Sequence, residues 1–159
     1  MKILYRKGDL LSHRDPEGDY RTYFLHIANN KGVMGSGVAK QIVTKYPSVK
    51  EDYLYYFQTE GEKILGKVFL TTDPQTQHNI YTCVAQNGYG RDGKKYVDYH
   101  VLKGCLKEVQ SHFSVNDDVF KPQIAMPKIG AGLGGGDWSV ISQIIEKEFR
   151  TITPILYAL

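Results

Sequence analysis

Two glycine-rich segments, each set between a predicted strand and a predicted helix, constrain the fold of this chain most strongly. The first covers residues 29–39 and the second covers residues 127–138. Glycine lets the backbone approach a ligand closely and adopt positive φ at little steric cost. A loop that opens into a helix leaves N–H groups free at the helix N-terminus, where the helix dipole favours an anion. Two such loops could hold a diphosphate from both sides.

Strands and helices alternate along the chain. A nearly continuous apolar run at 23–28 is typical of a strand buried on both faces. The other predicted strands cover 2–7, 67–71, 80–85, 123–126 and 152–157, and the predicted helices cover 38–45, 48–59, 96–113 and 138–149, with Ser48 and Asp137 as candidate caps. This order predicts one three-layer α/β/α domain over residues 1–159, with a mixed, mostly parallel central sheet. Ligands of such sheets bind at the carboxyl ends of the strands, where both glycine loops fall.

Composition is that of an ordinary globular domain. The chain has 159 residues, of which 42% are hydrophobic, and a net charge of +3. Its lysines and arginines are spread along the sequence rather than grouped in a continuous basic stripe. A mild positive balance suits an anionic small molecule, and the missing stripe argues against a nucleic-acid-binding protein.

The cysteines and the N-terminal residues bear on the cellular compartment. Cys83 and Cys105 each lie in an apolar stretch, which predicts buried free thiols and a reducing compartment. The first residues are too few and too polar for a signal peptide, and no apolar run has membrane-spanning length. Cysteine and histidine show no metal-ligand spacing. We therefore expect a cytoplasmic monomer that binds no membrane, no metal and no cofactor.

Polar side chains at the end of the buried strand are candidates for chemistry. Asn29 and Asn30 can bond sugar hydroxyls through both a donor and an acceptor, although an Asx turn would explain either residue equally simply. His26 lies three residues earlier. Its imidazole suits acid, base or nucleophilic chemistry on phosphate, but a histidine in a strand is also commonly a hydrogen-bonded core residue.

Two aspartates follow glycines near predicted element ends. Asp9 could accept a hydrogen bond from the exocyclic amine of adenine, or serve as an ordinary turn residue. Asp137 could cap its helix, or act as a carboxylate beside bound phosphate. The glycines at 32, 35 and 37 match neither the dinucleotide fingerprint nor the ATPase phosphate loop.

Three segments in order resemble the macrodomains, modules that bind ADP-ribose. They are Gly8-Asp9-Leu10, the stretch from His26 to Ala39, and the stretch from Met126 to Leu133. The resemblance spans essentially the whole chain. Within the family, Tyr46-Pro47 followed by Asp52-Tyr53, and then Leu65-Gly66-Lys67, resemble the ADP-ribose 1″-phosphate phosphatase branch. That branch is akin to one that hydrolyses terminal ADP-ribose from glutamate.

The resemblance implies a role for each part of the site. Asp9 and Leu10 would hold adenine, Asn29 would face the distal ribose, and the two glycine loops would enclose the phosphates. His26 matches the histidine implicated in the phosphatase branch. From the resemblance and the residue types together, the candidate catalytic residues are His26, Asn29 and Asp137, and the candidate ligand-binding residues are Asp9, Leu10, Asn30, Gly35, Ser36, Gly37, Val38, Gly130, Ala131, Gly132 and Leu133. Asp137 is a candidate from its residue type alone, because it is offset by several residues from the aspartate of the glutamate-hydrolase branch.

The predicted function is binding of ADP-ribose and removal of phosphate from ADP-ribose 1″-phosphate. One alternative is a module that recognises ADP-ribose without turning it over. Another is a hydrolase that removes ADP-ribose from a modified macromolecule, and nucleic acid is expected as a partner only in that modified form. The glutamate-hydrolase branch uses a lysine and an aspartate where this chain has Gln86-Asn87 and Gly134-Gly135, so we do not expect a lysine–aspartate mechanism.

Overall fold

Six strands form one sheet in the computed structural model, which describes residues 1–35, 37–113 and 121–158. The strand order is β1-β6-β5-β2-β4-β3; neighbouring strands are parallel except β3 and β4. This confirms the predicted mixed, mostly parallel sheet. The strands are β1 (Leu4–Lys7), β2 (Tyr23–Asn29), β3 (Val68–Thr72), β4 (Asn79–Gln86), β5 (Gln123–Met126) and β6 (Thr153–Ala158).

Helices cover both faces of the sheet and give the three predicted layers. They are α1 (Gly37–Lys45), α2 (Pro47–Glu60), α3 (Tyr99–Ser111) and α4 (Trp138–Glu148), and three short 3-10 helices span Leu10–Ser12, Asp19–Arg21 and Gly61–Ile64. One core joins α3 and α4 to the sheet through residues such as Leu102, Ile141 and Leu25. The other joins α1 and α2 to the opposite face through residues such as Ile42, Tyr53 and Phe24.

Three helix starts differ from the sequence prediction, and α1 begins at Gly37, one residue before its predicted start. The helix expected from residue 96 begins at Tyr99, because the Asp98 carboxylate accepts a hydrogen bond from the Val101 N–H at 3.1 Å and caps it. The helix expected from residue 48 begins one residue earlier. Pro47 has the fixed φ that suits a first helical position, so Ser48 lies within the helix and is not its cap.

The strand order brings three chain segments to one edge of the sheet. Because β5, β2 and β4 are parallel neighbours, their carboxyl ends meet at this edge. The segments that leave them are the first glycine loop, the second glycine loop and a polar segment after β4. Asn29 and Gln86, the last residues of β2 and β4, are partners in the strand register.

Two other expectations concern the thiols and the membrane. Cys83 and Cys105 are buried and free, as predicted. None of the helices in the described part of the chain is long and apolar enough to cross a bilayer.

Candidate functional site

A cavity of about 330 Å³ opens at the carboxyl edge of β5, β2 and β4. Three segments enclose it: the first glycine loop, described here for residues 30–35, the second glycine loop, residues 127–137, and the β4–α3 segment, residues 87–98. The start of α1 completes the wall. The cavity therefore lies where the glycine pattern predicts an anion site.

The first glycine loop gives the cavity open backbone and a helix N-terminus. Gly35, Gly37 and Val38 all line it. Gly37 has φ of +61°, a conformation that favours glycine. A Cβ built on Gly35 would have Val33 Cγ1, 4.0 Å away, as its nearest neighbour, so this glycine borders free space. Ser36, another predicted ligand residue, lies outside the described residues.

The second glycine loop uses its glycines in two ways. Gly132 borders open space, and with Gly130 and Leu133 it lines the cavity. Gly134, which also lines the cavity, and Gly136 are needed for packing. A Cβ on Gly134 would lie 2.7 Å from the Gly130 carbonyl oxygen, and one on Gly136 would lie 2.6 Å from a methyl carbon of Val97. Ala131, predicted as a ligand residue, is not among the lining residues.

The side-chain amides of the two predicted asparagines form hydrogen bonds with other groups of the protein. Asn29 Nδ2 donates to the Val33 carbonyl at 2.8 Å, and its Oδ1 accepts from the Lys31 N–H at 2.9 Å. Asn30 Nδ2 donates to Asn87 Oδ1 at 3.2 Å. Asn30 Oδ1 accepts from the Gly88 N–H at 3.0 Å. Asn29 lines the cavity and Asn30 does not. Because their amides bond neighbouring loop residues, both side chains fix the shape of the loops around the cavity.

His26 borders the cavity but is nearly enclosed, with 1% of its surface exposed. Its Nε2 lies 2.8 Å from the Thr82 hydroxyl on β4. Its Nδ1 is buried and has no hydrogen-bond partner within the described ranges. Burial disfavours the charged ring and lowers the pKa of His26 to about 4, so the ring is neutral at physiological pH.

The charges around the cavity have one sign. Arg91 and Lys128 line it, and no aspartate or glutamate is among its described lining residues. Neither cation forms an ion pair with another described residue. Two unpaired cations without a carboxylate favour an anionic ligand. Within the same described ranges, no group of three or more His, Cys, Asp or Glu side chains could hold a metal ion.

Three further predicted residues lie outside the lining of the cavity. Asp9 accepts from the Leu11 N–H at 3.0 Å and caps the short 3-10 helix after β1. Leu10, the first residue of that helix, is buried in the core that α1 and α2 form with the sheet. Asp137 accepts from the Ser139 N–H at 2.9 Å and caps α4. The structure thus brings His26, Asn29 and both glycine loops together, while the carboxylate of Asp137, at the end of the second loop, caps α4 and does not line the cavity.

The candidate residues predicted from sequence do not include Gln86, Tyr89 and Arg91, although all three line the cavity. Only the neighbourhood of Gln86 was marked, because the resemblance matches Gln86-Asn87 with the lysine of the glutamate-hydrolase branch. The polar, glycine-containing stretch after a predicted buried strand is the signal that could have marked them. This signal points to the site only if β4 is known to lie beside β2, and the local sequence pattern does not show which strands are neighbours.

Several known proteins are similar to this chain over most of its length. A Candida glabrata protein named ADP-ribose 1″-phosphate phosphatase is 26% identical, with 99% of this chain and 98% of that protein covered. A Mycobacterium bovis protein named DNA ADP-ribosyl glycohydrolase is 26% identical over 96% of this chain, which spans only 40% of that protein.

A solved structure of a Bacteroides thetaiotaomicron protein of unknown function superimposes with a TM-score of 0.82 and 30% identity, covering 100% of this chain and 99% of that one. The family model described as Macro domain matches residues 25–145. The chain is therefore a member of the macrodomain family.

Proposed function

We propose that this protein binds ADP-ribose and removes the terminal phosphate from ADP-ribose 1″-phosphate. The observation that carries the proposal is a cavity with two unpaired cations, no lining carboxylate among the described residues and open glycine backbone on two sides. A phosphorylated nucleotide sugar has the matching charge and shape. The name of the Candida glabrata relative, which aligns over almost its full length, supports the phosphatase activity.

The glycine loops would hold the diphosphate. Free N–H groups at the start of α1 and along the second glycine loop can donate to phosphate oxygens, and each charge-assisted hydrogen bond contributes roughly 1.5–3 kcal/mol. Adenine would lie toward Asp9 and Leu10, beyond the cavity on the β1 side. Binding of the nucleotide half would position the distal ribose and its phosphate, so that reaction becomes nearly intramolecular.

Hydrolysis transfers the phosphoryl group to water. The bond between phosphorus and the 1″ oxygen breaks, and the products are ADP-ribose and inorganic phosphate. N–H groups of the glycine loops would stabilise charge on the transferring oxygens. His26 would either take a proton from the attacking water and pass it to the departing 1″ oxygen, or attack phosphorus itself and form a phosphohistidine. In the second route a proton from solvent goes to the 1″ oxygen, and water then cleaves the phosphorus–nitrogen bond to release inorganic phosphate. The neutral ring needed for both routes is the form that burial maintains, and Nδ1 is the ring atom without a partner among the described residues. Because Nδ1 is buried in this structure, both routes require a shift that opens it to the cavity when the ligand binds.

Asn29 enters this proposal as a positioning residue, because its amide fixes the turn of the first glycine loop. Asp137 has no role in it, since its carboxylate caps α4 outside the cavity.

The test is release of inorganic phosphate from ADP-ribose 1″-phosphate, measured beside calorimetric titration with ADP-ribose. Phosphate release together with ADP-ribose binding supports the phosphatase. Binding without release would identify a module that only recognises ADP-ribose. Absence of both would contradict the whole proposal.

A second candidate is removal of ADP-ribose from a modified macromolecule. The alignment with the Mycobacterium bovis DNA ADP-ribosyl glycohydrolase, which covers 96% of this chain, favours testing it. Release of free ADP-ribose from ADP-ribosylated DNA or protein would establish this activity. Unmodified nucleic acid is the control, and we expect it to remain unbound.

We further propose that the protein acts as a cytoplasmic monomer with a single domain. Two buried free thiols support a reducing compartment. Sedimentation analysis at several protein concentrations tests the oligomeric state.

A further inference from the structure

We propose that Gln86 and Arg91 bind the terminal end of the ligand, the amide of Gln86 at the distal ribose and the guanidinium of Arg91 at the terminal phosphate. This inference rests on the proposed function. It assigns the selectivity for the terminal end of the ligand to the last residue of β4 and to the β4–α3 segment. Both residues line the cavity.

The amide of Gln86 is available to a ligand, whereas those of the nearby asparagines are not. Asn29 and Asn30 use both amide atoms on neighbouring backbone or side chains. The structure shows no hydrogen bond from the Gln86 side chain to any described residue, although Gln86 is half-buried. A half-buried amide with a free donor and a free acceptor suits the adjacent hydroxyls of a ribose.

The backbone of Gln86 is held on both sides. Its carbonyl accepts from the Asn30 N–H at 3.1 Å, and it pairs with Asn29 on one side and Val97 on the other. The side chain reaches the second glycine loop, where Nε2 lies 2.6 Å from the position of a Cβ on Gly134. The amide is thus presented between both glycine loops from a fixed strand end, which lowers the entropic cost of binding.

The strand order sets which end of the ligand reaches Gln86. Asp9 follows β1 at one side of the sheet, the glycine loops follow β5 and β2, and Gln86 ends β4 on the far side. Adjacent strands are about 4.8 Å apart, so β1 and β4 are separated by roughly 19 Å. An extended ligand with adenine toward β1 and its diphosphate between β5 and β2 has its distal ribose over β4.

The two cations of the cavity lie on opposite sides of β2. Lys128 follows β5, beside the diphosphate position, and Arg91 belongs to the segment after β4. Arg91 has no ion-pair partner among the described residues. A planar guanidinium can bind two phosphate oxygens at once, so Arg91 is suited to a phosphate carried by the distal ribose.

Three ligands of increasing length separate these roles: ADP, ADP-ribose and ADP-ribose 1″-phosphate. ADP and ADP-ribose are titrated by calorimetry. ADP-ribose 1″-phosphate is followed through its KM for phosphate release, or by calorimetry if no phosphate is released. The variants are Gln86→Leu and Arg91→Gln. The controls are Gln143→Leu on the exposed face of α4 and Arg150→Gln at the opposite edge of the sheet.

Gln86→Leu should weaken ADP-ribose by about three- to tenfold, the worth of one or two neutral hydrogen bonds, and leave ADP unchanged. Arg91→Gln should raise the KM or Kd of ADP-ribose 1″-phosphate by about tenfold or more, and change ADP-ribose by less than about threefold. The controls should match the wild type with all three ligands.

Other patterns overturn the assignment. Wild-type affinities in both variants, or an equal loss of affinity for ADP and for ADP-ribose, would show that neither residue binds the distal ribose or its phosphate. Those results leave the proposed function intact, because wild-type protein still binds ADP-ribose. Failure of the wild type to bind any of the three ligands would overturn the proposed function, and this inference with it.

Discussion

The Nε2 atom of His26 lies 2.8 Å from the Thr82 hydroxyl, across the register that pairs β2 with β4. When Nε2 carries the proton and donates it to that hydroxyl, Nδ1 keeps a free lone pair. Nδ1 has no partner in the described ranges of the chain. The Thr82 contact therefore occupies Nε2 and leaves Nδ1 as the ring nitrogen without a hydrogen-bond partner among the described residues.

Replacement of His26 by alanine should slow phosphate release by at least about 10²-fold, the lower range for general acid–base catalysis, while ADP-ribose still binds. Because burial places the pKa of His26 near 4, the wild-type rate should show no histidine step between pH 6 and 8. Steady-state rates across that range check both statements. An alanine variant with the wild-type rate would make His26 purely structural.

Acid should destabilise the fold through the same residue. The pKa of His26 is about 4 in the folded protein, against about 6.5 for a histidine in the unfolded chain, so between these values the unfolded chain binds more protons than the folded chain. Stability is greatest above pH 6.5 and is lost as the pH falls toward 4, by roughly 3 kcal/mol from this residue at 1.36 kcal/mol per pH unit.

Urea unfolding of the wild type and of His26→Gln at several pH values measures this contribution. The variant should lose less stability between pH 7 and 4.5 than the wild type. Equal pH dependence in the two proteins would mean that the buried ring is not the group responsible.

The hydroxyl of Tyr53 fixes the first glycine loop from α2. It donates to the Asn29 carbonyl at 2.6 Å and accepts from the Gly32 N–H at 3.0 Å. Tyr53→Phe leaves both backbone groups without this partner and should cost about 1–3 kcal/mol. Tyr55→Phe is the matched control, since Tyr55 is exposed on the same helix. Thermal unfolding compares them, and an equal Tm in both variants would remove Tyr53 from this role.

Alanine substitutions should separate the two uses of glycine in the second loop. A Cβ at Gly134 would lie 2.7 Å from the Gly130 carbonyl oxygen, whereas a Cβ at Gly132 would meet nothing within 4 Å. Gly134→Ala should therefore destabilise the protein by about 1–3 kcal/mol, as expected for overpacking, and Gly132→Ala should not. Chemical unfolding measures the difference. Equal stability of the two variants would contradict the packing role of Gly134.

Local sequence patterns predict most of the strands and helices of the fold. The apolar run of β2 and the glycine after it are visible in sequence because burial on both faces excludes polar residues from such a strand. The start of α3 was missed because Val97 pairs with Gln86 and Tyr96 donates its N–H to the Gly134 carbonyl, and these tertiary contacts outweigh helical periodicity.

The residues of the site are harder to predict from sequence than the strands and helices. The type and position of Asn29 suggest a ligand contact, but its amide forms hydrogen bonds within its own loop. A sequence does not show which side chains already have hydrogen-bond partners in the folded protein. Arg91 was missed for the opposite reason. Its role depends on β4 lying beside β2, a long-range pairing that spacing along the chain does not encode.

Calorimetric titration of ADP-ribose into wild-type, Gly35→Glu and Gly104→Glu proteins tests the central claim most directly. Gly35 borders the cavity and has room for a side chain, so a carboxylate there would repel the diphosphate without disturbing the fold. Gly104 is open and exposed on α3, and receives the same charge far from the cavity. We predict wild-type affinity for Gly104→Glu and a loss of about tenfold or more for Gly35→Glu. Equal affinity in all three proteins would place ADP-ribose outside this cavity and contradict the account.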